Sequence, residues 1–377
     1  AREVITAKAN AAATPLPGAV PNARGGSPMA FYMAVGNTPD SAASSLSRVF
    51  LGVRIGCAKC HNHPFADWRQ EDFWGMAAFF AGANLGQANA PPTDTKLARI
   101  KPMESDKEYP VRFLWSEGPA EVPENKYPRD MLADWMVSKD NLYFAGTAVN
   151  RVWQQLCGQG LIPHVDDLDQ APAKERALVL DDLARQFVDA EFDLQWLITG
   201  ICKSRVYQRL SATADKPAPD SPLSAYRPLK TLTPEQVFDS LEQALMLPVG
   251  RSNRNARFNG EGGEVMQRLN ESFSDAPDQF KAGIPQALVI MNGILISNAT
   301  DLDESRTLRA VVDAPFLEAE QKVEALYLSA LTRKPEPREL EKMLSHVSSR
   351  ADKDERRRAY TDIYWALLNS PEFVLSR

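Results

Sequence analysis

The run Cys57-Ala58-Lys59-Cys60-His61 sets two thiols three positions apart, with an imidazole directly behind the second. With only four Cys and four His in 377 residues, such a run arises by accident on the order of once in two thousand chains of this make-up. Two thiols on one short bend can add to the two vinyl groups of a porphyrin, and the adjacent imidazole then reaches the iron from one face. Cys57 and Cys60 are therefore the expected thioether residues of a haem c, with His61 as its proximal metal ligand. Two other readings use the same residues. One is a zinc knuckle with His61 or His63 as third ligand; the other is a metal-free disulfide or vestigial motif. A closed zinc site needs a fourth donor, and Cys157, Cys202, His164 and His346 stand singly rather than at knuckle spacing.

The second axial position has few candidates: His63, Met76, Met103, His164, His346 or an open site. Met76 follows the cysteine bend on an aromatic-rich stripe, and a thioether ligand would raise the potential. Its plainer reading is a core methionine. His63, two residues beyond His61, is poorly placed for the opposite face and suits a contact to a haem propionate instead. Cys157 and Cys202 lie among apolar stripes and read as inert core thiols.

Other polar clusters have structural readings. Asp166-Asp167 with Asp169, and Asp181-Asp182, read as solvated caps or outer helix faces, although the first pair could serve a hydrolase. Asn150-Arg151-Val152-Trp153 suggests a buried Arg151 tie to Asp134 or Asp167. Arg251, Arg254 and Arg257 read as a solvated loop. The sequence holds no G-x-S-x-G, H-E-x-x-H, P-loop or G-x-G-x-x-G run, so no recognisable hydrolase or transferase motif assigns an enzyme activity.

The elements that must position the bend are helical. Thr38-Pro39-Asp40 opens a stripe through Ala42, Leu46, Val49, Phe50 and Val53 that is expected to stop at Gly56. A second stripe, Gln70 to Ala81, carries Phe73, Trp74, Met76 and Phe80. Further stripes follow at Met131–Met136, Val149–Leu156, Leu180–Val188, Leu194–Ile201, Val237–Leu245, Val323–Ala330, Leu340–Val347 and Tyr360–Leu367. Alternating strand patterns are scarce, so the fold class is mainly α, a multi-helix orthogonal or bundle-like assembly with long loops and little β. Residues 1–36 read as an extended arm, 37–90 as the unit that carries the bend, 91–127 as a proline-rich linker, and 128–377 as a helical domain with a sub-boundary near 212–232. Residues 249–283 read as a long loop.

Composition narrows the partners. Hydrophobic residues make up 44% of the chain and charged ones 24%, enough apolar material for a globular core. A formal charge of −6 argues against nucleic acid as a partner. No apolar run approaches the roughly 20 residues of a transmembrane helix, and any export signal would have to lie upstream of the chain as given.

Residues 50–80, FLGVRIGCAKCHNHPFADWRQEDFWGMAAFF, resemble the end of the planctomycete cytochrome-like domain, with its FLG-x-x-x-x-CAxCHxHPF run and QEDF-x-G-x-AAFF helix. The remainder resembles the large planctomycete C-terminal domain of unknown function. That resemblance is carried by Arg129, Leu132-Ala133-Asp134-Trp135, Asn150-Arg151-Val152-Trp153, Gly158-Gln159-Gly160, Ser204-Arg205-Val206-Tyr207-Gln208, Pro285-Gln286-Ala287-Leu288 and the Trp365–Phe373 run. The resemblance implies export to the periplasm or cell surface and a c-type haem, with a redox protein or envelope component as partner. It implies no substrate or reaction. The expectation is an exported c-type cytochrome-like protein that binds one haem for electron transfer. The alternative is a non-redox cell-envelope binding or scaffold protein whose cysteine turn is structural.

Overall fold

A computed structural model describes residues 1–6, 29–83, 95–103, 105–169, 174–208, 230–246, 267, 296–297 and 300–376. The expected loop at 249–283, with Arg251, Arg254 and Arg257, thus lies outside the described residues, apart from position 267. The chain divides into two compact units, Ala1–Gln208 and Arg209–Arg377. Among the described residues both are mainly helical, and each contains one short two-stranded antiparallel pair.

The first unit contains α1 (Arg2–Ile5), α2 (Met29–Val35), α3 (Pro39–Leu51), a 3₁₀ turn (Gly56–Lys59), α4 (Gln70–Ala78), α5 (Pro128–Met136), α6 (Leu142–Cys157), α7 (Lys174–Asp189) and α8 (Leu194–Lys203). Helix α3 starts as its residues dictate: Thr38 accepts a hydrogen bond from the Ser41 N–H at 3.3 Å, and Pro39 supplies a preset φ. It ends earlier than expected. Gly52, not Gly56, terminates it at φ +64°, because only a residue without a Cβ adopts this left-handed cap freely. A Cβ at Gly52 would also lie 2.7 Å from Thr147 Oγ1 and 2.8 Å from Leu168 Cγ. Val53 and Ile55 are then buried in the short connection to the 3₁₀ turn rather than in a further turn of α3.

Two apolar clusters form this unit. One joins α3 and α4 through Leu46, Leu51, Phe73, Met76 and Phe80 and reaches α5 through Leu132 and Met136. The other joins α6, α7 and α8 through Val149, Leu180, Phe187, Leu197 and Ile201. The α7–α8 break falls at Glu191 and Phe192, both at positive φ, and Asp193 caps α8 by accepting from the N–H groups of Gln195 and Trp196. Half of the expected α8 stripe is inside: Leu197 and Ile201 are buried, while Leu194 and Ile198 are exposed.

Within the proline-rich 91–127 stretch, β1 (Arg99–Ile100) pairs with β2 (Tyr109–Pro110), Ile100 opposite Tyr109. Tyr109, Val111 and Leu114 from this stretch join the first cluster. Prolines forbid helix here but leave extended backbone free to bury alternate side chains.

The second unit contains β3 (Lys230–Thr231), α9 (Pro234–Ala244), α10 (Arg306–Val312), α11 (Ala319–Leu331), α12 (Pro337–Ser348), α13 (Lys353–Leu368), α14 (Pro371–Val374) and β4 (Leu375–Ser376), the last paired with β3. Its core gathers Val237, Leu308, Leu326, Tyr327, Tyr364 and Phe373. No helix among the described residues is long and apolar enough to cross a membrane.

Candidate functional site

The cysteine bend folds as a 3₁₀ turn because Ala58 points into the core and fixes its neighbours outward. Ala58 is fully buried, whereas Cys57, Lys59, Cys60 and His61 are exposed. Helix α4 grips the turn from beneath. Trp74 Nε1 donates to the Lys59 carbonyl at 3.1 Å, and Gln70 Nε2 donates to the Cys60 carbonyl at 2.7 Å. Gln70 and Trp74 are four residues apart and so share one helix face. From the other side Lys59 Nζ pairs with Asp40 at the start of α3, at 2.7 Å. Burial alone would raise the Asp40 carboxyl, but hydrogen bonds from Lys59 and Thr38 outweigh it and hold the group below the usual carboxylate range.

Among the sequence-predicted residues, Cys57, Cys60 and His61 share this exposed turn, and both thiols are free. His61 Nδ1 lies 2.8 Å from the Asn62 carbonyl. A carbonyl only accepts, so Nδ1 carries the proton, which leaves Nε2 as the nitrogen that can offer a lone pair to a metal. His63 is half-buried and shapes the following loop: its N–H donates to the Trp68 carbonyl at 2.8 Å, and its Nδ1 accepts from the Phe65 N–H at 3.2 Å. Nε2 of His63 therefore bears the proton and is a donor suited to a carboxylate. Phe65, beside these groups, is 93% exposed.

Met76 is fully buried in the first cluster, on the core side of α4. Met103 and His164 are exposed, and His346 in α12 bonds to Asp362 at 3.0 Å. Cys157 is buried and Cys202 half-buried. Among the described residues, no group of three or more His, Cys, Asp or Glu is placed to hold a metal ion by itself.

The residues fit a covalently held haem in what they offer: free exposed thiols on one turn and an imidazole whose Nε2 is left for a metal. The sequence reading missed the supports, Gln70, Trp74 and Asp40. Their i, i+4 spacing on α4 and the lysine inside the motif were the available signals.

Among the described residues, the Asn150–Arg151 run and the Asp166–Asp169 segment make structural contacts. Arg151 pairs with Asp166, not with Asp134 or Asp167, and also donates to the Arg48 carbonyl of α3 at 3.3 Å. Asp134 instead meets Lys126 and Arg2. Asn150 is fully buried and exchanges two hydrogen bonds with the backbone of Ile162, at 2.9 and 3.0 Å. Trp68 Nε1 donates to Asp169 at 2.9 Å, joining the cysteine loop to the end of the Asp166–Asp169 segment.

Comparison with known proteins follows the same two segments. Residues 27–84 match the model of the PSCyt2 family, and residues 128–257 that of the PSD1 family, each described as a protein of unknown function (DUF1549 and DUF1553). No curated protein and no solved structure matches the chain. Residues 27–84, with the cysteine turn and its supporting helices α3 and α4, are thus similar to the PSCyt2 family, and residues 128–257 to the PSD1 family.

Proposed function

We propose that the protein is an exported c-type cytochrome-like carrier in which Cys57 and Cys60 hold one haem by thioether bonds and His61 ligates its iron from the proximal side. The haem would supply one-electron redox chemistry. The chain's own residues do the positioning. Asn62 fixes the His61 tautomer through its carbonyl, Gln70 and Trp74 hold the turn onto α4, and Phe65 offers an exposed apolar ring next to His63. The observation that carries the reading is the exposed, free Cys57–Cys60–His61 turn with Nε2 left available. An outward-facing group suits exchange of electrons with a protein or small redox partner in the periplasm or at the cell surface.

Co-expression with a haem-attachment system tests this directly. Wild type should gain the mass of one haem and give a c-type pyridine haemochrome spectrum, and Cys57→Ser with Cys60→Ser should give neither. An unmodified wild-type mass under conditions that load a control cytochrome overturns the reading and leaves the non-redox scaffold.

A further inference from the structure

We infer that the second unit carries a binding cleft for an organic anion with an apolar body, a site independent of the cysteine turn. The cleft lies among α10, α11, α12 and α13 and has a volume of about 830 Å³, within the range of small-molecule sites. Its floor is apolar: Val312, Val347 and Tyr360 are buried core side chains, and Leu344 is half-buried. Its rim is basic. Lys322, Lys353, Arg356 and Arg357 line it against one carboxylate, Asp313, a local surplus of positive charge in a chain of formal charge −6.

The partners of these cations decide what the rim can do. Arg357 is neutralised by Asp313 at 3.0 Å, and Lys322 Nζ donates to the Val312 carbonyl at 2.7 Å. Arg356 gives its guanidinium to the carbonyls of Asp352 and Ala351, both at 3.3 Å, and meets no carboxylate among the described residues. Lys353 likewise has no carboxylate partner among them. Of the acids at the α13 start, Asp352 accepts from the Glu355 N–H at 2.7 Å and Glu355 from the Ala351 N–H at 3.3 Å, and neither these nor Asp354 forms an ion pair with Lys353 or Arg356. Three positive groups without a matching carboxylate repel one another, and an anion between them relieves that repulsion through charge-assisted hydrogen bonds. An inorganic anion gains nothing from the floor, and a neutral apolar molecule gains nothing from the rim. Phe316, which follows the lining residue Pro315, is 79% exposed and extends the apolar surface outward. The ligand class is therefore an anionic head on an acyl chain or comparable apolar body.

Calorimetric titration of the full chain with decanoate, below its micelle concentration, tests the cleft, with decanol and inorganic sulfate as separate arms. Decanoate should bind more tightly than either, and Lys353→Ala with Arg356→Ala should weaken it by about tenfold or more. The control Arg338→Ala with Lys342→Ala removes the same charge from exposed positions of α12 and should leave affinity within about twofold. All four positions are exposed, and circular dichroism checks that each variant remains folded. No decanoate binding, equal binding of decanol or sulfate, or equal loss in the two double variants overturns the inference.

Discussion

Lys59 and Asp40 show how one residue inside the motif is tied to the scaffold. The pair is 2.7 Å apart, and the Asp40 carboxyl is depressed below its reference value of 3.8. A carboxyl whose folded pKa lies below the unfolded one contributes stability that is full above pH 3.8 and is lost as the pH falls through the folded value. Asp40→Asn should therefore cost up to about 1 kcal/mol at neutral pH. It should also flatten the stability profile below the reference pKa, measured by urea denaturation at several pH values. An unchanged acid limb would show that the ion pair does not hold the turn. The remaining grip, from Gln70 and Trp74, consists of neutral donors to carbonyls and should not vary with pH.

At the scale of elements, the turn's position depends on where α3 stops. Gly52 ends it in a left-handed conformation, and its amide plane also meets the following domain segment, since the Leu168 N–H donates to the Gly52 carbonyl at 2.7 Å. Gly52→Ala should cost about 2 kcal/mol or more, the sum of about 1 to 2 for the left-handed backbone and an added charge for displacing Thr147 and Leu168. Chemical denaturation measures it. A loss under about 0.5 kcal/mol would mean that the cap relaxes freely. Gly75, inside α4, permits a close approach of another kind, since a Cβ there would fall 2.5 Å from Arg112 Cβ. Both glycines stand in the motif-bearing stretch, where their spacing gave no hint of what they approach.

Among the described residues each unit has its own apolar clusters, and a core substitution should act through its own. Met76→Ala in the first unit and Leu326→Ala in the second should each cost about 2 to 5 kcal/mol, since both side chains are fully buried. Hydrogen exchange read peptide by peptide should show protection lost within the substituted unit; uniform loss across the chain would refute this assignment. Met76→Leu, which keeps the volume, separates packing from ligation under the proposed haem attachment: a core role leaves the fold and the spectrum of the haem-loaded protein unchanged. In the second unit Arg333 bridges Glu339 of α12 and Glu372 of α14 through four contacts of 2.7 to 2.9 Å. Those hydrogen bonds, from Glu372 first and then Glu339, push the guanidinium pKa further up.

The chain's own residues, without any fold, determined the helical class, the stripes that become α3 to α8, and the Cys57-Cys60-His61 bend, because periodicity and spacing are local properties. What faces what was decided in three dimensions. Asp166 rather than Asp167 reached Arg151, Tyr109 and Val111 turned a proline-rich connection into core, and α3 stopped one turn early at Gly52. Each outcome depends on side chains far apart in sequence competing for the same volume or charge, and that competition is settled only when the elements pack.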